Sequence, residues 1–471
     1  MGEPVVLEVR HTASRSGNGA TGPVVEIPDF LNLPGLKTLS VRLDDGQYHV
    51  LAEGLASPDR CSKCGHDGLY AHGARPQAYA DIPNHGNVSV VHVDRRRVRC
   101  RACGGITLQP LPDMAEAHMM TRRLVARVER DGLQRTFSEV AREIGVHERT
   151  VRRIIADHIR WLEGQHRFET PRWLGLDEIH IIRRSRAVIA NVEERCMVDM
   201  LPTRQKQALG TYVQAMANRD RIELVCMDMW APYRDVAREL LPRAQVVVDK
   251  FHVVRMATAA LETVRKRIRS DLSTKRRLRL KDDRFLLLRR ARDLGPQQLD
   301  RIATWTEEFP DLGAAWNAKE GFCDIWDARL TPTQAKGRYA EWASSLGPSA
   351  SDAFRPLLTA LRNWEAEAFA YFQHPVTNAY TEALNGVIRV VNRVGRGYSF
   401  EVLRAKMLFA HGQHAKRGVP IIRERPEFGE RVAGFLGSRD HSPHPPTRTP
   451  AVTEFGVPLS VLADLIEREV I

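Results

Sequence analysis

The sequence predicts a multidomain α/β protein, on three observations. Four of its seven cysteines form two Cys-x-x-Cys pairs, Cys61-Ser62-Lys63-Cys64 and Cys100-Arg101-Ala102-Cys103. Between 172 and 249, short apolar runs alternate with helical stretches, which predicts a mixed sheet covered by helices. Residues 250–374 then carry helical patterning alone and form a large helical insertion, before a helix near 380 returns to the sheet. A chain of 471 residues is long enough for several domains, each with its own core.

Charge narrows the partner. The 70 Lys and Arg outnumber the 58 Asp and Glu, for a formal net charge of +12. The surplus is clustered in Arg95-Arg96-Arg97 and from Lys266-Arg267 through Lys275-Arg276-Arg277 to Arg289-Arg290. Clustered cations favour a polyanion. No apolar stretch approaches the ~20 residues of a membrane span, and the N-terminus lacks a secretion signal, so an intracellular protein with no membrane partner is expected.

Residues 1–35, rich in Gly, Ser and Thr, predict a flexible tail. Leu39–Leu43 and Tyr48–Ala52 predict a hairpin leading into a cysteine module over 36–110. Two knuckles with strand-forming sequence between them place four thiolates around one tetrahedral ion, so Cys61, Cys64, Cys100 and Cys103 are expected to hold one structural Zn2+. Paired this way they suit metal ligation in a reducing compartment better than disulfides. Arg95, Arg96 and Arg97 in the lead-in are phosphate-contact candidates.

Residues 115–165 predict a helix-turn-helix. Thr136-Phe137-Ser138-Glu139 is a capping-box start, Ala141 is small where helices cross, Gly145 marks the turn, and Val151 and Ile154 are core contacts. The second helix presents Arg149, Arg152 and Arg153, which suit a major groove. His147 departs from the pattern, standing where Ser or Thr would cap.

Strands are expected over 173–181, 187–193, 196–201, 222–228 and 245–248, so 170–249 with 375–430 forms the core. Asp177 and Asp228 each end an apolar run and thus stand where a buried strand delivers a side chain to a sheet edge. Asp177 has a rival in Glu178, and Asp228 has one in Asp249, which ends Val246-Val247-Val248. On the later helix, Asn378, Glu382, Asn385 and Arg389 share one face, with Leu384, Val387, Ile388 and Val391 on another. Three acids from two strands and a helix can hold a pair of divalent cations for in-line displacement at phosphorus. The Pro-rich stretch 442–450 and the apolar segment 459–466 predict a linker and tail over 438–471.

Asp177-Glu178, Met227-Asp228-Met229-Trp230-Ala231-Pro232-Tyr233, Val248-Asp249-Lys250-Phe251-His252, and Asn378 through Arg389 followed by Gly395-Arg396-Gly397-Tyr398 closely resemble the bacterial insertion-sequence DDE transposases with an N-terminal zinc-binding domain. The resemblance covers about residues 35–430. It implies a ribonuclease H-like core with the helical insertion before the last acid. It further implies Asp177, Asp228 and Glu382 as catalytic ligands of two Mg2+ (or Mn2+), and Asp249 and His252 as an accessory pair. Asn378, Asn385 and Arg389 would be supporting or phosphate-contact residues. The implied activity is metal-dependent DNA cleavage and strand transfer at terminal inverted repeats. Double-stranded DNA, both repeats and target, is the implied partner, bound by a homodimer or higher oligomer in the bacterial cytoplasm at the nucleoid. The competing functions are a domesticated DNA-binding regulator without catalysis and a junction nuclease with the same metal chemistry.

Overall fold

The computed structural model describes residues 6–8, 30–165 and 169–411. The chain forms two compact units, Met1–Phe168 with Val394–Ala410, and Glu169–Arg393 with His411–Ile471. The expected linker and tail over 438–471, and the end of the core segment after 411, lie outside the described residues.

In the first unit, β1 (Val6–Glu8), β2 (Leu36–Asp44), β3 (Gln47–Gly54), β4 (Leu69–Asn84), β5 (Asn87–Cys100), β6 (Ile106–Leu108), β7 (Met114–Ala115) and β8 (Met120–Thr121) form one sheet. Its order is β1-β2-β3-β5-β4-β8-β7, with β6 on β5. Asp45 and Gly46 both take positive φ, at 45° and 75°, as the tight turn between β2 and β3 requires. The expected tail over 1–35 is corrected in part. Val6–Glu8 pairs antiparallel with β2, and Leu31 and Leu33 are buried with Val50, Tyr79 and Val91, because the sheet needs apolar cover there.

Three helices follow: α1 (Arg122–Gln134), α2 (Phe137–Ile144) and α3 (Glu148–Gln165). The Thr136–Glu139 capping box starts α2, and Gly145 ends it at φ 71°. A Cβ on Gly145 would fall 2.6 Å from Val88 Cγ2, so both the backbone angle and the close approach demand glycine. His147 supplies the missing cap, its Nδ1 accepting from Arg149 N at 3.1 Å. The cysteine module and the helices were expected as separate domains, yet they share one unit. The reason is that β7 and β8 extend the sheet, and fully buried Asp81 on β4 accepts from Thr121 Oγ1 at 2.6 Å and from Arg123 of α1.

The second unit opens with β9 (Trp173–Ile181), β10 (Arg184–Asn191) and β11 (Cys196–Leu201), then α4 (Lys206–Ala215), β12 (Leu224–Met227), α5 (Ala231–Leu240) and β13 (Gln245–Val248). The strand order is β11-β10-β9-β12-β13. The first three strands are antiparallel; β12 runs parallel to β9, and β13 to β12. One face, with Leu174, Leu176, Val225, Met227 and Val246, packs on Leu209 and Val213 of α4 and Val236 and Ala237 of α5.

The insertion holds α6 (Lys250–Ser270), α7 (Thr274–Asp282), α8 (Arg284–Leu288), α9 (Pro296–Glu308), α10 (Pro310–Asp327), α11 (Pro332–Ser344), α12 (Pro348–Asn363) and α13 (Glu365–Phe369), and none of its residues forms a strand. The α9 to α12 helices all begin on proline, whose fixed φ suits the first helical position and whose missing N–H costs nothing there. Trp305, Phe322, Trp326, Trp342, Phe354 and Phe369 build its core. After it, α14 (Ala379–Gly395) carries Glu382, and α15 (Phe400–Lys406) follows.

The expected core segment 375–430 is split by the structure, since Val394–Ala410 clusters with the first unit. Buried Lys406 is the physical reason. Its Nζ donates to Gly132 O, Leu133 O and Arg135 O at 2.6, 3.1 and 2.8 Å, satisfying carbonyls at the end of α1 that the helix itself leaves open. Tyr398 packs on Phe137, ring centroids 5.2 Å apart.

Candidate active site

Alternation along β9 sends Leu174 and Leu176 to the α4–α5 core and Gly175 and Asp177 to the other face. There α14 comes close. A Cβ on Gly175 would meet Asn378 Oδ1 and Thr381 Oγ1 at 2.7 Å, so glycine is what lets the helix seat. Asn378 is fully buried; its Nδ2 donates to Leu176 O at 3.0 Å and its Oδ1 accepts from Thr381 Oγ1. Asn378 therefore clamps helix to strand and is not available to DNA, so of its two expected roles, supporting or phosphate-contact, the burial removes the second.

The sheet register then aligns the aspartates. Met227 pairs with Leu176 on one side and with Val248 on the other. The next residues of the three chain segments are Asp177, Asp228 and Asp249, level with one another across adjacent strands. Asp228 and Asp249 are thus neighbours in one row. Glu178 turns elsewhere and pairs with Arg204.

Asp249 caps α6, its Oδ1 accepting from Phe251 N at 3.2 Å. Its Oδ2 lies 3.7 Å from His252 Nδ1, and both atoms are buried with no hydrogen-bond partner. Single ligand atoms of Asp249, His252 and Glu382 fall within 4.8 Å of one another. A buried carboxylate oxygen left unpaired beside a ring nitrogen and a second carboxylate fits a divalent cation. Asp177 is held from two sides, with Oδ1 accepting from Glu178 N at 2.7 Å and Oδ2 from Asn385 Nδ2 at 2.8 Å.

Electrostatics ties the acids together. Burial raises the Asp177 carboxyl to about 6, with Asp228 and Asp249 adding to the rise. Glu382 is pushed up to about 7 by burial and by the charges of Asp249 and Asp177. Burial likewise raises Asp228. Burial opposes the His252 cation, but Asp249 and Asp228 outweigh it and hold the imidazole above its usual pKa. Acids pushed up in this way want a cation.

Arg389 is exposed, and so is Val387, at 41 %. Sequence reasoning missed Arg255, an exposed cation whose charge acts on Asp228, His252 and Glu382. Its signal was its place one turn after His252.

In the first unit, Cys61 and Cys103 Sγ lie 3.6 Å apart, as do Cys64 and Cys100 Sγ. All four are free thiols. A tetrahedron with metal–sulfur bonds of about 2.3 Å has edges of about 3.8 Å, so the cluster matches a zinc cage. Gly65 and Gly104, at φ 73° and 69°, turn the two knuckles, and Lys63 N and Gly105 N each donate to a sulfur at 3.4 Å. The N–H groups of Cys64 and Lys63 pull the Cys61 thiol down to about 6.

The lead-in arginines divide. Arg95 is buried, its Nε donating to Gln109 O at 2.6 Å and its Nη2 pairing with Glu116 at 2.8 Å; strand alternation turns it inward, so it does not reach DNA. Arg96 pairs with Glu53 at 2.8 Å, and Arg97 is half-buried. Arg149, Arg152 and Arg153 are exposed on α3. Arg152 lies 5.2 Å over the Phe137 ring, and Arg153 donates to Ala117 O at 3.3 Å.

Comparison with known proteins gives the class. A transposase family model, the DDE domain of the ISL3 group, matches residues 174–407, and the zinc-finger of transposase IS204/IS1001/IS1096/IS1165 matches residues 57–103. The transposase for insertion sequence element IS1001 of Bordetella parapertussis is 25% identical over 391 residues, 81% of this chain and 93% of that protein. The transposase for insertion sequence element IS1557 of Mycobacterium tuberculosis is 25% identical over 260 residues, 49% of this chain and 58% of its own length. The chain belongs to the ISL3-type DDE transposases of bacterial insertion sequences, and it is an enzyme of transposition. Among the described residues, no helix is long and apolar enough to cross a membrane.

Proposed function

We propose that the aspartate row and Glu382 form the centre for DNA strand cleavage and strand transfer at the element's terminal inverted repeats. The observation that carries this is the alignment of Asp177, Asp228 and Asp249 on the sheet face against which Glu382 is seated, with Asp249 Oδ2 and His252 Nδ1 buried and unpaired. Three antiparallel strands followed by two parallel ones, with a helical insertion before the final acid, support a ribonuclease H-like core.

Asp177, Asp228 and Glu382 act as ligands, with Asp249 and His252 joining Glu382. When bound, two divalent cations supply the positive charge that an in-line displacement at phosphorus needs. Asn385 holds Asp177 in place. Arg255 and Arg389, exposed and cationic, steer the phosphodiester toward the acids. In the first step, water attacks the phosphorus and the bond to the 3′ oxygen breaks, freeing a 3′-hydroxyl. That hydroxyl then attacks a target phosphodiester and loses its proton as a target 3′ oxygen departs. Alignment and charge stabilisation carry most of such a reaction.

Recognition belongs to the first unit. The α2–Gly145–α3 arrangement supports a helix-turn-helix whose Arg149, Arg152 and Arg153 enter the major groove, while one Zn2+ on the four cysteines fixes the adjoining sheet. Two ends must be brought together for joining, so the working form on DNA is a dimer or larger. Purified protein, Mg2+ and a duplex carrying the element's end test the proposal. Nicking at the end followed by joining into a plasmid is expected; specific binding without metal-dependent nicking would instead make the chain a regulator.

A further inference from the structure

Little within the fold accounts for the charge on α7. Of its nine residues only Leu280 is buried. Five are cations: Lys275, Arg276, Arg277, Arg279 and Lys281. Lys275 and Arg279 stand four apart, as do Arg277 and Lys281, the spacing at which like charges oppose helix formation. Many cations elsewhere in the insertion are matched to acids. Arg290 pairs with Glu320 and Asp324, Arg292 with Asp327, Lys319 with Glu320, and Lys250 with Asp327. On α7 only Arg276 has a carboxylate partner, Glu308. Lys275, Arg277, Arg279 and Lys281 are exposed and form no ion pair among the described residues. The guanidinium groups of Arg276 and Arg279 lie 5.8 and 5.9 Å from the Trp305 ring, which holds this side of the patch in place.

Position adds to charge. The α6 helix begins at the Asp249 cap and runs for 21 residues, about 30 Å, before α7 packs against it. One helix thus links the acid row to the cationic patch. The patch lies within about 30 Å of the acid row, a span of roughly nine base pairs at about 3.4 Å per pair.

We propose that the exposed cationic face of α7 grips the phosphate backbone of the target DNA that receives the element. This rests on the transposition reading above. The chemistry favours the target over the element's own ends. Phosphate contacts position a duplex without reading its sequence, and exposed Lys and Arg side chains without acid partners supply such contacts. Sequence-independent grip suits the DNA whose sequence varies, whereas the fixed terminal sequence is assigned to α3. A membrane surface is disfavoured, because Leu278 is the one large exposed apolar side chain on α7.

The test uses the full-length Lys275→Gln/Arg277→Gln/Arg279→Gln/Lys281→Gln protein, with Arg277→Gln/Lys281→Gln as a milder companion if the first fails to fold. Three quantities are read: salt-dependent affinity for a random-sequence duplex, cleavage of the element's ends, and joining of pre-cleaved ends into a plasmid. The fourfold variant is expected to lose about three in the slope of log affinity against log salt, at ~0.9 per phosphate contact, and the double variant about half of that. Joining should fall at least about tenfold while end cleavage changes less than about threefold, a loss confined to the step that needs target DNA. An unchanged slope with unchanged joining overturns the proposal. Equal loss of cleavage and joining also overturns it, by assigning α7 to the element's ends. If the native protein neither cleaves nor joins, the transposition reading fails by itself, and an unchanged salt slope then decides against α7 as a phosphate surface.

Discussion

Asn385 Nδ2 donates to Asp177 Oδ2 at 2.8 Å, joining residues 208 positions apart in the chain. The bond crosses from α14 to β9 at the point where the aspartate row begins. It fixes the carboxylate's orientation without itself offering a charge, while Asn385 Oδ1 is buried and unpaired. Asn385→Leu is expected to weaken Mg2+ dependence of cleavage by about 10–100-fold, the usual cost of losing an outer partner of a metal ligand. A Mg2+ titration of end cleavage checks this. Wild-type Mg2+ dependence in that variant would leave the amide a packing role only.

Asp228→Asn should abolish strand cleavage and leave end binding intact, and the row predicts that Asp249→Asn will also lose at least about 100-fold. Gel shifts and cleavage on the same end duplex separate the two readouts. Full cleavage by Asp228→Asn with loss in Asp249→Asn would transfer the ligand role to Asp249.

The pH dependence follows from the raised acids. A carboxyl whose folded pKa exceeds its unfolded value contributes stability that is complete below the unfolded pKa and is lost as pH rises through the folded one. For Asp177 and Glu382 that loss ends near about 6 and about 7. The metal-free protein should therefore weaken on this account between about pH 4 and 7, and Mg2+ should raise Tm more at about pH 8 than at about pH 6, because the cation competes with protons. Thermal melts with and without Mg2+ at both values give the answer; a larger Mg2+ effect at the lower pH contradicts the site.

Cys64→Ser or Cys103→Ser should remove zinc and destabilise the first unit, since metal binding to such a module is itself folding free energy. One zinc per chain by elemental analysis in the native protein, and less than about half in either variant, is expected. The second unit has its own core, so its melting transition should move little.

Burial lowers the Lys406 ammonium to about 8. Its folded pKa lies below its unfolded value, so the unfolded chain holds more protons between about 8 and 10.5, and the burial cost is relieved as pH rises through that window. Lys406→Ala leaves three carbonyls of the α1 end without their donor and should cost about 2–4 kcal/mol of first-unit stability. Chemical denaturation measures it, and a change under about 0.5 kcal/mol would show that water replaces the ammonium without penalty.

Much was legible along the chain because it is local. The cysteine spacing, the Thr136–Glu139 capping box, the turn at Gly145, the strand Trp173–Ile181 and the polar face around Glu382 each depend on residues within a few positions of one another. The sequence by itself therefore determined the elements, the acids and the family resemblance. It did not determine which acids stand together. Asp228 and Asp249 looked like rivals because each ends an apolar run, and only the parallel register of β9, β12 and β13 makes them neighbours. Arg95 read as a DNA contact because pleat direction and partners such as Gln109 O and Glu116 lie outside the run of arginines. For Asn378 the sequence leaves a supporting role and a phosphate contact both open, and the close seating of α14 on Gly175, which buries it, leaves the first. Register, burial and the return of Lys406 to α1 arise from contacts between residues far apart in the chain, and such contacts exist only once the backbone has folded.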